Sequence, residues 1–205
     1  MSITLVIIIL TGLISYNAFS NRDLFERMKH YPIVEHSNKE YHRLLTSGFV
    51  HADMTHLFIN MYVLFIFGEY VELQFQNYFG PLMGRVNYTL LYVLAIIGAD
   101  LPTYAKHKHN PRFASVGASG AISAVLFAFI LMNPWSQLLL FFIIPMPAIV
   151  AGILFLVWES YASKKNYGRI DHDGHFYGAI FGIIFMIIIR PSIIPDFLEK
   201  IVSIF

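Results

Sequence analysis

Apolar residues are so abundant in this chain that water cannot be the solvent in which it folds. Hydrophobic residues make up 57% of its 205 residues and charged residues 13%, whereas a soluble domain has a charged fraction of about 25%. A globule of this size has too little interior to hide that much apolar surface. The composition therefore predicts an integral membrane protein whose main partner is the lipid bilayer.

Six apolar stretches are candidates for helices that cross the bilayer. Such a helix needs about 20 largely apolar residues, and the candidates are Ile3–Phe19, Thr55–Phe75, Val86–Tyr104, Ala118–Met132, Pro147–Tyr161 and His175–Ile189. Pro145 and Pro147 interrupt the last long apolar run, and proline disfavours a helical residue before it. Trp135–Pro145 is therefore predicted to be an interfacial or re-entrant connection. The predicted fold class is an all-α membrane protein, a six-transmembrane-helix bundle expected to form one domain over residues 1–205.

The first helix and the loop after it carry two further expectations. No Lys or Arg precedes the first apolar run and no clear small-x-small cleavage site follows it, so we expect a retained helix rather than a signal peptide. The loop from Ser20 to Met54 is long, and loops of that length are usually functional or disordered. Its many apolar and aromatic side chains favour a short amphipathic structure lying in the membrane interface.

Several functional classes are excluded by composition. The net charge is +1 and no basic stripe with interleaved aromatics is present, so nucleic acid is not an expected partner. The chain has no cysteine, which excludes disulfides, a thiol nucleophile and thiolate metal sites.

Polar side chains cluster at the start of every second predicted helix. His51 and His56 stand at the entry to the second helix, Asn60 lies one turn further, Ser119 opens the fourth helix and His175 opens the sixth. These three helices run in the same direction, so their N-terminal ends face the same side of the membrane. Ionisable groups at membrane depth are costly and by default indicate function. The five side chains therefore predict one functional site.

The residue types in this predicted site suit nucleophilic catalysis. The hydroxyl of Ser119 needs a base to take its proton, and the imidazole of His175 is suited to that at neutral pH. His56 and Asn60 are four residues apart and so share one helix face. With the Ser119 amide, at a helix N-terminus, they would donate to an oxyanion.

Glycines are placed where they would let two of these helices approach. Gly117 and Gly120 flank Ser119, while Gly178 and Gly182 follow His175 at i+3 and i+7. This small-xxx-small spacing favours close backbone packing of the fourth and sixth helices.

Taken together, these motifs resemble those of the rhomboid family of intramembrane serine proteases. The resemblance runs from about Tyr41 to Ile189. Its motifs are Gly117-Ala118-Ser119-Gly120 for the family's GxSG, His51-x4-His56-x3-Asn60 in the second helix, His175-x2-Gly178-x3-Gly182 in the last helix, Tyr41-His42-Arg43 in the first loop and Glu72 at the far end of the second helix.

The resemblance implies a serine endopeptidase that cleaves transmembrane protein substrates near the membrane boundary. Ser119 would be the nucleophile and His175 the base of a Ser-His dyad, with Asn60, His56 and the Ser119 amide as the oxyanion hole, and no cofactor or metal. For His51, structural support of the first loop is favoured over a direct catalytic role. Many family members carry a tyrosine one turn after the serine, and Ser123 stands there in this chain. Asp173 and His172 are the candidates for orienting His175 in its place.

Two alternatives are kept beside this interpretation. A metal-dependent membrane hydrolase would draw its ligands from His51, Asp53, His56, His172, Asp173 and His175. It would leave Ser119 and Asn60 without a role, and the sequence has no HExxH motif. A non-catalytic rhomboid-like protein that binds membrane clients would typically lack the serine or the histidine, and this chain has both.

The expected location is the plasma membrane, as a multi-pass protein. Most of the Lys and Arg residues fall in loops on the serine side, which by the positive-inside rule would place the active site in the cytoplasm. The family resemblance implies the extracytoplasmic side, and that orientation is the one we expect.

Overall fold

A computed structural model describes residues 1–140, 143–165 and 170–203 of the chain. Helices dominate these residues, and the predicted helical bundle is confirmed. The helices are α1 (Ile3–Ser20), α2 (Arg22–Met28), α3 (Pro32–Asn38), α4 (Arg43–Thr46), α5 (Met54–Phe79), α6 (Pro81–His107), α7 (Ser119–Met132), α8 (Ala148–Lys165), α9 (His172–Ile189) and α10 (Ile193–Val202), with a 3₁₀ turn at Ser47–Phe49.

Each of the six predicted apolar stretches coincides with one helix, namely α1, α5, α6, α7, α8 or α9. Among the described residues, four helices are long and apolar enough to cross a membrane, namely α1, α5, α6 and α9, while α7 is a shorter apolar helix. Helices α5 and α6 extend past the predicted ends because Gly80, with φ of +80°, and Pro81, at the first helical position, let one helix end and the next begin at once. The count of six spans stays a prediction.

The connection predicted at Trp135–Pro145 is largely a β-hairpin. Strand β1 (Gln137–Leu140) pairs antiparallel with β2 (Ile144–Pro147), with Gln137 opposite Pro147. Residues 141 and 142 of the predicted connection lie outside the described residues. Helix α8 begins at Ala148, directly after the strand, so the hairpin is an exception to an all-α fold.

The long first loop is a folded unit of short helices centred on Arg43. This side chain is buried, and its Nε donates to Glu40 at 2.7 Å. Its Nη1 donates to the backbone carbonyls of Glu26 at 2.5 Å and Lys29 at 3.3 Å. One guanidinium therefore joins the end of α2 to the start of α4, because the planar fork of arginine holds donors on more than one nitrogen in fixed directions. The interfacial position of the loop stays a prediction.

Helix α7 lies at the centre of the bundle. Ten of its fourteen residues are buried, and it packs against α5, α6, α8 and α9. A helix that is apolar all round belongs in such a position. Large apolar side chains are also exposed on the outer helices, for example Leu13, Phe58, Leu94, Val157 and Ile188. A bundle that is apolar inside and outside fits a lipid surrounding.

Glu72 secures the end of the bundle away from Ser119. Its carboxylate accepts hydrogen bonds from the backbone amides of Ile3 and Thr4 and from the Thr4 hydroxyl, each at 2.9 Å. An anion at the start of a helix satisfies free N–H groups and the helix dipole. Glu72 therefore ties α1 to α5.

Candidate active site

Ser119 and His175 are in hydrogen-bond contact. The Oγ of Ser119 lies 2.7 Å from Nε2 of His175, although 56 residues separate them. Ser119 is the first residue of α7, and His175 lies in the first turn of α9. The two helices therefore bring a hydroxyl and an imidazole together at the same end of the bundle.

Small residues allow this contact. A β-carbon at Gly178 would overlap the carbonyl oxygen of Gly120, and one at Gly182 would overlap that of Ala124. Helices α7 and α9 thus meet backbone to backbone along one face. The first turn of α9 is held in addition by Asp171, whose carboxylate accepts from the amide of Gly174 at 2.8 Å.

Gly117 shapes the loop that leads into Ser119. Its φ is +122°, a conformation open to glycine and costly for other residues. A β-carbon there would also come 2.8 Å from Cε1 of His56. His56 therefore lies directly against the serine loop, on the side that Gly117 leaves open.

His51 joins this loop to α1. Its Nε2 accepts from the backbone amide of Ala118 at 3.3 Å, and its Nδ1 lies 2.9 Å from the Ser15 hydroxyl, which itself donates to the carbonyl of Phe49. Burial, with His56 nearby, lowers the pKa of His51 to about 3, so the ring is neutral and Nε2 is free to accept. This geometry supports the structural role expected for His51.

His56 and Asn60 lie on the first turns of α5, which Asp53 caps by accepting from the His56 amide at 2.8 Å. The Asn60 side chain is buried, and its Nδ2 donates to the His56 carbonyl at 2.9 Å. That bond uses one of the two amide protons and leaves the other for a second acceptor. The oxyanion role of both residues stays a prediction.

Glu159, which sequence reasoning did not single out, is the residue that contacts the far side of His175. Its Oε1 lies 3.2 Å from Nδ1 of His175, and its Oε2 lies 2.6 Å from Nδ1 of His172. The hypothesis that Asp173 orients His175 is wrong, since its carboxylate bonds to Lys106 and Ser163 at 2.5 Å each. A carboxylate inside the apolar stretch Pro147–Tyr161 was a signal that could have identified Glu159.

Phe155 also contacts His175 from α8. The two rings are stacked, with centroids 6.3 Å apart and planes 27° apart. Ser123, at the position of the family's tyrosine, instead donates to the carbonyl of Ser119 at 2.9 Å. Aromatic contact with the histidine therefore comes from α8 rather than from α7.

One group of potential metal ligands occurs among the described residues. The ligand atoms of Glu159, His172 and His175 lie within 4.8 Å of one another. This set shares two residues with the metal alternative considered above. A tetrahedral ion about 2.0–2.1 Å from each ligand would separate the ligand atoms by roughly 3.3 Å. The 2.6 Å between Glu159 and His172 is instead a hydrogen-bond distance.

A narrow cleft opens at Ser119 and His175. It has about 20 Å³ of space that the centre of a water molecule can occupy, and it is partly open to solvent. Its walls include two carboxylate side chains, Asp100 and Asp171. A polar opening of this kind gives water a route to the serine.

Comparison with known proteins places the chain in one family. Residues 38–192 match the family model of the Rhomboid domain. The chain is 30% identical over 145 residues to RHOMBOID-like protein 12, mitochondrial, of Arabidopsis thaliana, a match that covers 67% of this chain and 43% of that protein. It is 29% identical over 147 residues to Rhomboid protein 1, mitochondrial, of Saccharomyces cerevisiae, a match that covers 69% of this chain and 40% of that protein. It is 26% identical over 161 residues to Rhomboid-like protein 11, chloroplastic, of Arabidopsis thaliana, a match that covers 73% of this chain and 52% of that protein. The matched region thus spans about half or less of each relative.

The predicted plasma-membrane location, with an extracytoplasmic active site, is contradicted by these comparisons. The relatives are mitochondrial or chloroplastic by name, which points to an organellar membrane. The resemblance found in the sequence motifs is confirmed, because the family model covers most of the chain. The chain belongs to the rhomboid family, whose members are generally intramembrane serine proteases.

Proposed function

We propose that this chain is an intramembrane serine endopeptidase that cleaves transmembrane proteins near the membrane boundary. The observation that carries the proposal is the 2.7 Å contact between Ser119 Oγ and His175 Nε2. Such a contact provides what a serine nucleophile needs, a base within reach of its proton. The site lies at the ends of helices and opens into a polar cleft, as hydrolysis near a membrane boundary requires.

In the first half of the reaction, Nε2 of His175 takes the proton from Ser119 Oγ as Oγ attacks the scissile carbonyl carbon. The carbonyl oxygen becomes an oxyanion, to which the Ser119 amide, His56 and the second proton of the Asn60 amide would donate. The protonated His175 then gives its proton to the leaving amine. An ester between Ser119 and the acyl part of the substrate results.

In the second half, water enters through the cleft and attacks the ester. His175 takes a proton from the water and returns it to Ser119 Oγ as the ester bond breaks. The products are a new carboxylate and the regenerated enzyme. The bulk of α7 is buried and apolar, so water would reach the serine from the open end of the cleft.

Cleavage of a single-span test substrate in detergent micelles tests the proposal. We expect cleavage by the wild type and none above background by Ser119→Ala, because the variant has no nucleophile. Ser123→Ala is the matched control: it removes a hydroxyl one turn along the same helix, which donates only to the Ser119 carbonyl, and should cleave like wild type. Activity retained in Ser119→Ala would contradict the proposal.

A fluorophosphonate probe, which reacts covalently with activated serines, separates the alternatives. We expect labelling of the wild type and of Ser123→Ala, and no labelling of Ser119→Ala. A metal-dependent hydrolase or a client-binding protein without activity would give an unlabelled wild type.

A further inference from the structure

Glu159 is a buried carboxylate in an apolar helix, and the dyad mechanism gives it no role. Its side chain is only 6% exposed. A charge in such surroundings is costly unless it is paired. Both of its oxygens are used, one by each of the two histidines that stand three residues apart on α9. This arrangement needs an explanation beyond helix packing.

Resting on the proposed function, we propose that Glu159 is a positioning residue that holds His175 in the tautomer able to deprotonate Ser119. The catalytic unit would then be a line of four side chains, Ser119, His175, Glu159 and His172, in place of an isolated Ser-His dyad.

Hydrogen-bond capacity decides which ring nitrogen of each histidine carries the proton. An ionised carboxylate can only accept, so a neutral histidine facing it must present an N–H. Both His172 and His175 face Glu159 through Nδ1, which assigns the proton to Nδ1 in each ring. His175 then has its lone pair on Nε2, the atom 2.7 Å from Ser119 Oγ. The other tautomer would direct an N–H at the serine and would be unable to accept its proton.

The same contact assists the charged stage of the reaction. When the Ser119 O–H bond breaks, the N–H bond forms at Nε2, and His175 becomes an imidazolium ion. Glu159 remains ionised, and its negative charge lies beside the new positive charge. The proton on Nδ1 does not move, and the proton on Nε2 passes to the leaving amine. The buried carboxylate of soluble serine-protease triads has the same role, because it orients the imidazole and stabilises the imidazolium ion.

His172 and Phe155 fix the geometry of Glu159 and His175. His172 engages Oε2 at 2.6 Å, so the carboxylate is held in one orientation with Oε1 toward His175. Phe155 lies four residues before Glu159, on the same face of α8, and stacks on the His175 ring. One face of α8 therefore contacts the His175 imidazole in two ways, since Phe155 stacks on the ring plane and Glu159 faces its Nδ1.

Kinetics of Glu159→Gln test the proposal. Glutamine keeps the shape of glutamate, but its amide N–H₂ would face Nδ1 of either His172 or His175. The carboxylate that required an N–H at Nδ1 of His175 is then lost, and the tautomer of that ring is no longer specified. Replacing the triad aspartate by asparagine in a soluble protease lowers kcat by about 10⁴, and we expect a loss of about 10²- to 10⁴-fold here with KM little changed. Fluorophosphonate labelling of Ser119 should slow in parallel, since the probe does not use the substrate-binding contacts.

Two further variants separate positioning from stability. Glu159→Asp keeps the charge with a shorter reach and should recover part of kcat. Glu72→Gln removes a buried carboxylate at the other end of the bundle and should lower thermal stability while leaving kcat unchanged. If Glu159→Gln fails to fold, Glu159→Asp still decides, because an unchanged kcat in that variant would overturn the proposal.

The proposal and the proposed function fail in different ways. A wild type that is neither labelled nor active would remove the function, and the role of Glu159 with it. An active, labelled wild type whose Glu159→Gln variant has wild-type kcat would overturn the positioning role alone. Nitrogen-15 NMR of histidine gives a direct check: Nδ1 of His175 should be protonated in wild type, and the tautomers should be mixed in Glu159→Gln.

Discussion

A β-carbon at Gly178 would overlap the backbone carbonyl oxygen of Gly120. Gly120 directly follows Ser119, and Gly178 lies one turn after His175. The closest approach of α7 and α9 is therefore coupled to the contact between nucleophile and base. Any side chain that separates these backbones should also separate the two catalytic groups.

Gly178→Ala should accordingly reduce both stability and activity. Overpacking of a tight contact typically costs about 1–3 kcal/mol, and moving α9 lengthens the distance from Ser119 Oγ to His175 Nε2. We expect a lower unfolding temperature in detergent and slower fluorophosphonate labelling of Ser119.

Gly12→Ala is the matched control for this prediction. A β-carbon at Gly12, on α1, meets nothing within 4 Å, so labelling should equal wild type, and stability should not fall because alanine favours a helix more than glycine does. Wild-type labelling by Gly178→Ala would mean that the close approach does not control the catalytic contact.

His51 should make the stability of the protein fall in acid. Burial lowers the pKa of its ring to about 3 from 6.5. As the pH falls, the unfolded chain therefore binds a proton at His51 near pH 6.5, whereas the folded chain binds it only near pH 3. The stabilisation is complete above pH 6.5 and is lost as the pH falls from 6.5 toward 3. The slope is at most about 1.4 kcal/mol per pH unit. Thermal unfolding across this range measures it.

His30 does not offset this loss. Burial opposes its protonation, but the hydrogen bond to Glu35 and nearby carboxylates raise the pKa of its ring. Its contribution is complete below pH 6.5 and is lost at higher pH. His51→Gln should therefore flatten the acid slope, while His42→Gln, at an exposed position in the first loop, should leave it unchanged. Equal slopes in wild type and His51→Gln would refute the assignment.

Helix positions and the Ser119–His175 pairing were accessible from sequence because hydropathy and helix direction determine them. The sequence could indicate that Glu159 is functional, but not that it contacts His175. That contact depends on which face of α8 turns toward α9, and packing decides it. The pairing of strands β1 and β2 was missed for another reason. A short apolar run fits a strand or a helix equally well, and cross-strand pairing resolves the choice. The side-chain conformation of Asn60, whose amide turns back to the His56 carbonyl, likewise cannot be obtained from residue spacing.

Chelators should leave the activity intact. In the proposed mechanism Glu159 and His172 form a hydrogen bond at 2.6 Å, and no step requires an ion. EDTA or phenanthroline is therefore expected to leave the rate of substrate cleavage unchanged, with thermal unfolding as the check that the protein stays folded. Activity that is lost on chelation and restored by zinc would favour a metal centre at Glu159, His172 and His175.

Asn60→Ala should separate oxyanion stabilisation from base catalysis. His175→Ala removes the base and should abolish activity as fully as Ser119→Ala, because the two residues act as a unit. Asn60 would be one donor among several, and loss of one such donor typically lowers kcat by about 10²–10³. One proton of its amide is already engaged by the His56 carbonyl, so only the other can reach the oxyanion. We therefore expect a slow but measurable enzyme with little change in KM, since the donor acts on the transition state. A raised KM with unchanged kcat would instead make Asn60 a substrate-binding or structural residue.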